Sequence, residues 1–179
     1  MDVDACKIVF SGSMGAGKTT AIAAISDIAP VVTDVINTDR TQHAKETTTV
    51  GIDYGELDVG EGVKLLLYGT PGQERFDFMW EILARRALGI VLLIDNSRPN
   101  PLADFEMYLG AFEKFGDAGA IVVGIGRSET HPKPRVDVYY RALEKRKMVA
   151  PVFAVDVRRK KDVLLLLNAL LSTLEARER

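Results

Sequence analysis

Short apolar runs alternate with amphipathic stretches along most of this 179-residue chain. Nearly continuous apolar runs are typical of strands buried on both faces of a sheet, and apolar residues spaced three and four apart predict helices. The pattern predicts six strands, at 7–10, 49–59, 63–68, 89–95, 120–125 and 151–155. It predicts five helices, at 19–29, from the segment after residue 76 to about 87, and at 101–115, 136–148 and 162–176.

This order of elements predicts an α/β fold with a six-stranded, mostly parallel sheet and helices on both faces. The one antiparallel strand is 49–59, because the turn Gly60-Glu61-Gly62 returns the chain directly into 63–68. Residues 31–48 are rich in Thr, Asp and Asn and predict a long surface loop. Loops of that length often carry function, although a plain connector is the alternative.

Composition narrows the class of protein. The chain is 47% apolar and 27% charged, which is typical of one globular domain, here taken as residues 1–179. A net charge of −2 indicates no general affinity for nucleic acid or anionic membranes. Cys6 is the only cysteine, which excludes an internal disulfide and fits a reducing cytoplasm. No apolar run approaches membrane-spanning length and the N-terminus does not resemble a signal peptide, so we expect a cytoplasmic protein without membrane insertion.

The stretch from Gly12 to Thr19 fits G-x-x-x-x-G-K-[ST] and lies between a predicted strand and a predicted helix. This is the context of a P-loop NTPase, in which backbone N–H groups surround phosphate at a helix N-terminus. Lys18 supplies a charge to the outer phosphates, and the Thr19 hydroxyl is a ligand for Mg²⁺. The predicted phosphate-binding residues are Gly12, Ser13, Met14, Gly15, Ala16, Gly17, Lys18, Thr19 and Thr20.

Two further stretches carry a family resemblance. The run Thr49-Val-Gly-Ile-Asp-Tyr and the run Pro71-Gly-Gln-Glu-Arg-Phe76 resemble Ras-like small GTPases, in the same order and spacing over essentially the whole chain. The segment Gly69-Thr-Pro-Gly-Gln73 is similar to bacterial and archaeal members, including the Mgl-type proteins, which often act with roadblock-type partners. The resemblance implies a GTP/GDP switch that uses Mg²⁺ and a protein effector or activator.

The resemblance also implies individual roles. Thr49 would reach Mg²⁺ and sense the γ-phosphate, Gly72 would sense the same phosphate through its N–H, and Gln73 would orient the attacking water. An exposed polar loop residue is the alternative interpretation of Gln73. No arginine directly precedes Thr49, and Arg40, Arg75, Arg85 and Arg86 are interpreted as surface or structural charges. Without an arginine finger, hydrolysis is expected to be slow.

The family's magnesium-binding Asp-x-x-Gly is replaced by Gly69-Thr-Pro-Gly72, so its carboxylate is missing. Asp53 is a candidate replacement and a third candidate magnesium residue with Thr19 and Thr49. The hairpin is expected to bring Thr49 beside Gly69, which leaves Asp53 about 13 Å farther along its strand. The alternative is that Asp53 is an ordinary polar residue on an exposed strand face, and this reading is slightly favoured.

The base-recognition motif Asn-Lys-x-Asp is represented only by Gly126-Arg-Ser-Glu129. Glu129 can accept N–H bonds from guanine and Arg127 can cover the base. A solvated loop acid is the less favoured interpretation of Glu129. The Ser-Ala-Lys motif is replaced by Val155-Asp-Val157, where backbone N–H groups of Asp156 and Val157 suffice. We therefore expect a weak guanine preference. A nucleotide-binding scaffold with little turnover and a P-loop ATP-dependent phosphotransferase remain alternatives.

Overall fold

The computed structural model describes residues 6–36, 49–73, 77–113 and 120–177, without the side chains of 33–36 and 49–50. Within these ranges seven strands form one sheet: β1 (Cys6–Ser11), β2 (Val31–Ile36), β3 (Thr49–Asp58), β4 (Lys64–Gly69), β5 (Gly89–Asp95), β6 (Ala120–Gly126) and β7 (Val152–Ala154). The same residues form five helices: α1 (Lys18–Ile25), α2 (Asp77–Ala84), α3 (Pro101–Glu113), α4 (Val136–Lys145) and α5 (Lys160–Arg177).

The strand order across the sheet is β2-β3-β4-β1-β5-β6-β7. β3 pairs antiparallel with both of its neighbours, whereas every other pairing is parallel. β3 is therefore the one described strand that runs against the rest, which confirms the predicted mostly parallel sheet with a single antiparallel strand.

The predicted count of six strands is wrong by one, because residues 31–36 form β2 instead of a loop. Val31 pairs with Tyr54 and Ile36 with Thr49, so the segment extends the sheet beyond β3. Four of its six residues are valines or isoleucine, which favour strands. Val31 and Val32 point to opposite faces of the sheet and are both exposed, at 48% and 61%, so the start of this strand shows no alternation of buried and exposed positions. The remainder of the predicted loop, residues 37–48, lies outside the described residues.

The first helix ends four residues earlier than predicted, at Ile25. Ser26 adopts an extended backbone, with φ −66° and ψ 137°, so it cannot continue the helix. Its hydroxyl accepts a hydrogen bond from Glu56 N–H and donates one to the Ile28 carbonyl. The serine therefore ties the end of α1 to β3, a tertiary contact that helical periodicity does not reveal.

Two apolar cores cover the two faces of the sheet. On one face, Val9, Ile90 and Leu92 pack with residues of α2, α3 and α4. On the other face, Ile8, Phe10 and Val91 pack with residues of α1 and α5. Successive strand residues point to opposite faces, so a strand buried on both sides is apolar along nearly all its length. β5 is buried at every position and carries no polar side chain before its last residue, Asp95. Within the described ranges, no helix combines the length and apolar composition needed to cross a membrane.

The parallel strands end at a common edge of the sheet. Ser11, Gly69, Asp95, Gly126 and Ala154 are the last residues of β1, β4, β5, β6 and β7. Ligands of open α/β sheets bind in the crevice beyond these carboxyl ends. The phosphate loop and the predicted base-recognition segments all leave the sheet at this edge, which brings together residues more than 100 positions apart in the chain.

Candidate nucleotide-binding site

The phosphate loop connects β1 to α1 and leads directly into the helix N-terminus. Gly17 precedes the first residue of α1 and has φ 96°, a left-handed conformation that L side chains rarely adopt. A Cβ at this position would also lie 2.7 Å from Cγ2 of Val157. The glycine therefore lets α1 start close to the loop after β7. The N-terminal N–H groups of the helix are then directed at the phosphate-binding loop.

Lys18 is the buried cation of the site, with 8% of its surface exposed. Its ammonium group donates to the carbonyl oxygens of Gly12 and Ser13, at 2.8 Å each. Burial lowers the pKa of Lys18 from 10.5 to about 8, and the nearby Asp53 carboxylate partly opposes this shift. The loop therefore holds a positive charge at low solvent exposure, the environment in which attraction to phosphate is strongest.

Asp53 lies next to Thr19, contrary to the expected strand register. Gly69 pairs with Asp53 rather than with Thr49, because β3 has ten residues and β4 only six, and their pairing starts at Asp58 and Lys64. The Thr19 hydroxyl donates to Oδ2 of Asp53 at 2.6 Å. Asp53 is partly buried, which does not support the reading of an exposed polar residue.

The side chain of Asp53 occupies the space that a side chain at position 69 would need. A Cβ built on Gly69 would lie 2.9 Å from Oδ2 and 3.0 Å from Cβ of Asp53. A hydroxyl and a carboxylate are the hard oxygen donors that Mg²⁺ prefers, so Thr19 and Asp53 fit that ion. The backbone of Thr49 begins β3, and its side chain lies outside the described part of the chain.

The segment after β4 packs onto the phosphate loop. Thr70 N–H donates to the Phe10 carbonyl at 2.9 Å, and the hydroxyls of Ser11 and Thr70 are 3.0 Å apart. Met14 N–H donates to the Gly72 carbonyl at 3.2 Å. Gln73 follows on the exposed side, while residues 74–76, which include Arg75, lie outside the described residues.

Trp80 is a contact that sequence reasoning missed. The indole N–H donates to the Pro71 carbonyl at 2.9 Å, and the ring packs on Tyr108 with a centroid distance of 4.5 Å. Trp80 is only 2% exposed. A buried indole must find an acceptor, so a tryptophan one turn into the helix that follows the Gly-Gln segment was an available signal.

A cleft of about 550 Å³ extends from the phosphate loop toward the loops after β6 and β7. Its walls include Gly15, Ala16, Gly17, Thr20, Arg127, Glu129, Asp156 and Val157, all of them predicted nucleotide-binding residues. The structure therefore brings the predicted base-recognition segments to the same cleft as the phosphate loop. Cleft volumes of this size are ordinary for small-ligand sites.

Arg127 connects the end of β5 to the phosphate loop through hydrogen bonds. It has φ 60°, and its guanidinium donates to Oδ2 of Asp95 at 2.5 Å and to the Gly15 carbonyl at 3.2 Å. Asp95 also accepts bonds from the N–H and hydroxyl of Ser97. The arginine is thus anchored to β5 and to the phosphate loop, and its stem remains beside the cleft where a base would lie.

Glu129 is loosely held. Its carboxylate is 3.6 Å from Arg159, and its side chain is 75% exposed. The same Arg159 lies 3.6 Å from Asp156, so two acids flank one arginine at the rim of the cleft. Sequence reasoning did not identify Arg158 or Arg159, although a run of four basic residues at 158–161, beside the last predicted motif, indicated them.

Hydrogen bonds to two aspartates hold the loop after β7 in place. Asp156 N–H donates to Asp162 at 2.9 Å, and Arg158 binds both carboxylate oxygens of Asp156. Arg158 holds the pKa of the Asp156 carboxyl well below its usual range. These bonds use the N–H of Asp156, so of the two predicted donors Val157 is the better placed to meet a base.

Comparisons with known proteins agree with this geometry. A family described as "Conserved hypothetical ATP binding protein" matches residues 10–112, which is more than half of the chain. Ras-related protein Rab-12 of Mus musculus is 28% identical over 66% of this chain, and human ADP-ribosylation factor-related protein 1 is 34% identical over 40% of it. The chain belongs to the matched family and to the Ras-like small GTPase superfamily.

The match extends over different shares of these relatives. The chain spans 46% of the length of Rab-12 and 33% of ADP-ribosylation factor-related protein 1. The Arl6 small GTPase from Trypanosoma brucei, solved with the nucleotide analogue GppNp bound, superposes with a TM-score of 0.71 at 16% identity. That alignment covers 96% of this chain and 98% of the other, and it shows that the Ras-like chain has the small-GTPase fold.

Proposed function

We propose that this Ras-like protein is a Mg²⁺-dependent GTP-binding switch that hydrolyses GTP slowly to GDP. The observation that carries the proposal is the phosphate end of the cleft, where buried Lys18 and the Thr19–Asp53 pair lie together at the N-terminus of α1. A buried ammonium, free N–H groups and hard oxygen donors are the three components that a nucleotide phosphate chain with its ion requires.

Each component has a defined task. Lys18 and the N–H groups of the loop bind the outer phosphates, and Thr19 with Asp53 would hold Mg²⁺, joined by Thr49 if the family pattern applies. A bound Mg²⁺ neutralises charge on the phosphate oxygens. Asp53 would thereby supply, from β3, the carboxylate that Gly69 lacks.

The other end of the cleft, formed by Arg127, Glu129 and Val157 and called the base end, would bind guanine through few polar groups. The Val157 N–H is available to the guanine carbonyl, and the Glu129 carboxylate can accept from the ring and exocyclic N–H groups. Arg127 would cover the ring with its stem, since its guanidinium is already bound to Asp95. Few buried partners imply weak discrimination between bases.

Hydrolysis would depend on Gln73. Its position directly after Gly72 lets its amide orient a water that attacks the γ-phosphorus, whose bond to the bridging oxygen then breaks to leave GDP. The side chain is exposed in this structure, so it must be ordered before it acts. We expect a slow intrinsic rate that a protein activator raises. A roadblock-type partner and a cytoplasmic location remain predictions.

A second candidate is a base-tolerant nucleotide-binding protein with little turnover. The exposed Glu129 and the glycine at position 126, where the family has asparagine, favour it. The description of the matched family as ATP-binding points the same way. This candidate shares the phosphate end and differs only in base preference and rate.

A nucleotide panel separates the two. Affinities for GTP, GDP, ATP and XTP with and without Mg²⁺ would be measured together with phosphate release. The switch predicts Mg²⁺-dependent binding, GTP preferred over ATP, and release slowed about tenfold or more by Gln73→Leu at unchanged affinity. Asn168→Leu, which removes an exposed amide on α5, is the matched control. Equal affinity for ATP with no release would favour the second candidate.

A further inference from the structure

The Pro71–Gly72 segment is held by two hydrogen bonds, one to the phosphate loop and one to α2. Met14 N–H donates to the Gly72 carbonyl, and the indole of Trp80 donates to the Pro71 carbonyl. These bonds join the segment to the loop on one side and to the interior of α2 on the other. Neither is a bond to nucleotide, so each contributes to the position of the segment before any ligand is considered.

This position brings backbone against the buried ammonium. A Cβ built on Gly72 would lie 2.9 Å from Nζ of Lys18 and 2.5 Å from the nitrogen of Met14. Lys18 serves the outer phosphates in phosphate loops. An outermost phosphate that binds Lys18 on this side therefore needs space in which the Gly72 backbone now lies.

Burial and packing fix the position of Trp80, which can therefore hold the Pro71–Gly72 segment. The side chain is 2% exposed, and its ring packs on Tyr108, which is itself buried in α3. The indole N–H has a fixed direction because the ring cannot turn in this packing. The acceptor, Pro71, is one residue from Gly72, so a shift of the Pro71 carbonyl moves the Gly72 peptide with it.

We propose that Trp80 is a positioning residue that holds the Pro71–Gly72 segment on the phosphate loop in the state that excludes a third phosphate. Triphosphate binding must break or lengthen the Trp80–Pro71 bond, whereas diphosphate leaves it intact. The preference for diphosphate over triphosphate is thus set partly by an indole outside the nucleotide site. This inference rests on the proposed nucleotide switch and adds a regulating contact to it.

Trp80→Phe tests the inference, because it removes the N–H donor and keeps an aromatic, although smaller, ring on Tyr108. The affinities for GDP and a non-hydrolysable GTP analogue would be measured by calorimetry. Trp80→Phe should raise affinity for the GTP analogue relative to GDP about fivefold, the equilibrium effect of one neutral hydrogen bond. Tyr108→Phe, which removes one hydroxyl from the same aromatic pair, should leave the ratio at the wild-type value. An unchanged ratio in Trp80→Phe, or an equal change in Tyr108→Phe, would overturn the proposal.

The wild-type chain provides a second readout that does not depend on the variant folding. Trp80 is its only tryptophan, so fluorescence excited at wavelengths that tyrosine does not absorb reports this indole alone. The emission should differ between the GDP-bound and analogue-bound protein, and identical spectra would overturn the proposal. Binding of both nucleotides with identical spectra would leave the switch site standing and remove only the role of Trp80. Failure to bind either nucleotide would instead overturn the proposed function, and the role of Trp80 with it.

Discussion

The two ends of the cleft differ in how firmly their charged groups are held. At the phosphate end, Lys18 is 8% exposed with two hydrogen bonds of 2.8 Å, and the exposed Thr19 hydroxyl donates to the partly buried Asp53 at 2.6 Å. At the base end, Glu129 is 75% exposed and its nearest cation is 3.6 Å away. Charges in a dry environment interact strongly, whereas exposed pairs are screened and contribute little.

This difference indicates where binding energy comes from. The phosphate end is preorganised by three elements that face one another, α1, β3 and the segment after β4. At the base end only Arg127 is anchored to a buried acid, Asp95, whereas Glu129 lies on a loop at the surface. We therefore expect mutations at the phosphate end to change affinity for every nucleotide, and mutations at the base end to change only the choice between bases.

Lys18→Ala should have the largest effect. It removes the buried cation, and hydrogen bonds to charged groups are strong enough that affinity for GDP should fall about a hundredfold. Calorimetry on the variant and on Lys64→Ala measures this, because Lys64 is an exposed lysine on β4 whose loss should leave affinity unchanged. A thermal melt establishes that Lys18→Ala remains folded. Affinity equal to wild type in that folded variant would contradict the assignment of the phosphate loop.

Alkaline pH should lower the affinity for GDP without a mutation, by removing the charge of Lys18. The pKa of Lys18 is lowered to about 8, so the ammonium is present below that pH and is lost as pH rises through it. At pH 9 only about one molecule in ten keeps the proton, so GDP affinity should be about tenfold lower than at pH 7. Lys18→Arg keeps its charge throughout and corrects for titration of the base. If wild type and Lys18→Arg showed the same pH profile, the lowered pKa would not govern binding.

The fold was largely predictable because it rests on local signals. Apolar runs such as 89–95 identify buried strands directly, and β5 has those bounds. β2 was missed because its sequence, Val-Val-Thr-Asp-Val-Ile, does not alternate apolar with polar residues. The end of α1 was missed because Ser26 bonds to β3.

Within the site, the phosphate loop was recognisable from its glycines and Lys18, which lie together in the sequence. Asp53 was identified only as a candidate, since its position beside Thr19 depends on a strand register that pairs it with Gly69. Trp80 and Arg159 escaped notice altogether. Their partners, Pro71 and Glu129, are 9 and 30 positions away in the chain, and only the folded structure brings each pair together.

Exchanging the residues at positions 53 and 69 sharpens the comparison within the phosphate end. Asp53→Ala should raise the Mg²⁺ concentration needed for nucleotide retention about fivefold, because the carboxylate beside Thr19 is lost. The double variant Asp53→Gly with Gly69→Asp returns a carboxylate from the opposite member of the same strand pair and should recover much of that loss. Mg²⁺ titrations of nucleotide release measure both. An unchanged requirement in Asp53→Ala would mean that Thr19, phosphates and water suffice.

Glu129 should give the smallest effect, and one confined to the base. Its carboxylate would accept from the 2-amino group of guanine, which inosine lacks, so the ratio of GTP to ITP affinity isolates this contact. Because the side chain is 75% exposed, water competes for it and we expect a wild-type ratio of only about threefold. Glu129→Ala should lower that ratio to about one while ATP affinity stays unchanged, and Glu144→Ala, an exposed acid on α4, should leave it at the wild-type value. If the ratio survived in Glu129→Ala, guanine would be read by another group. The backbone N–H of Val157 could not account for that result, because its proposed partner is the carbonyl that both bases share. A fall in ATP affinity would show instead that Glu129 supports the cleft as a whole, and the contrast between a firm phosphate end and a loose base end would have to be redrawn.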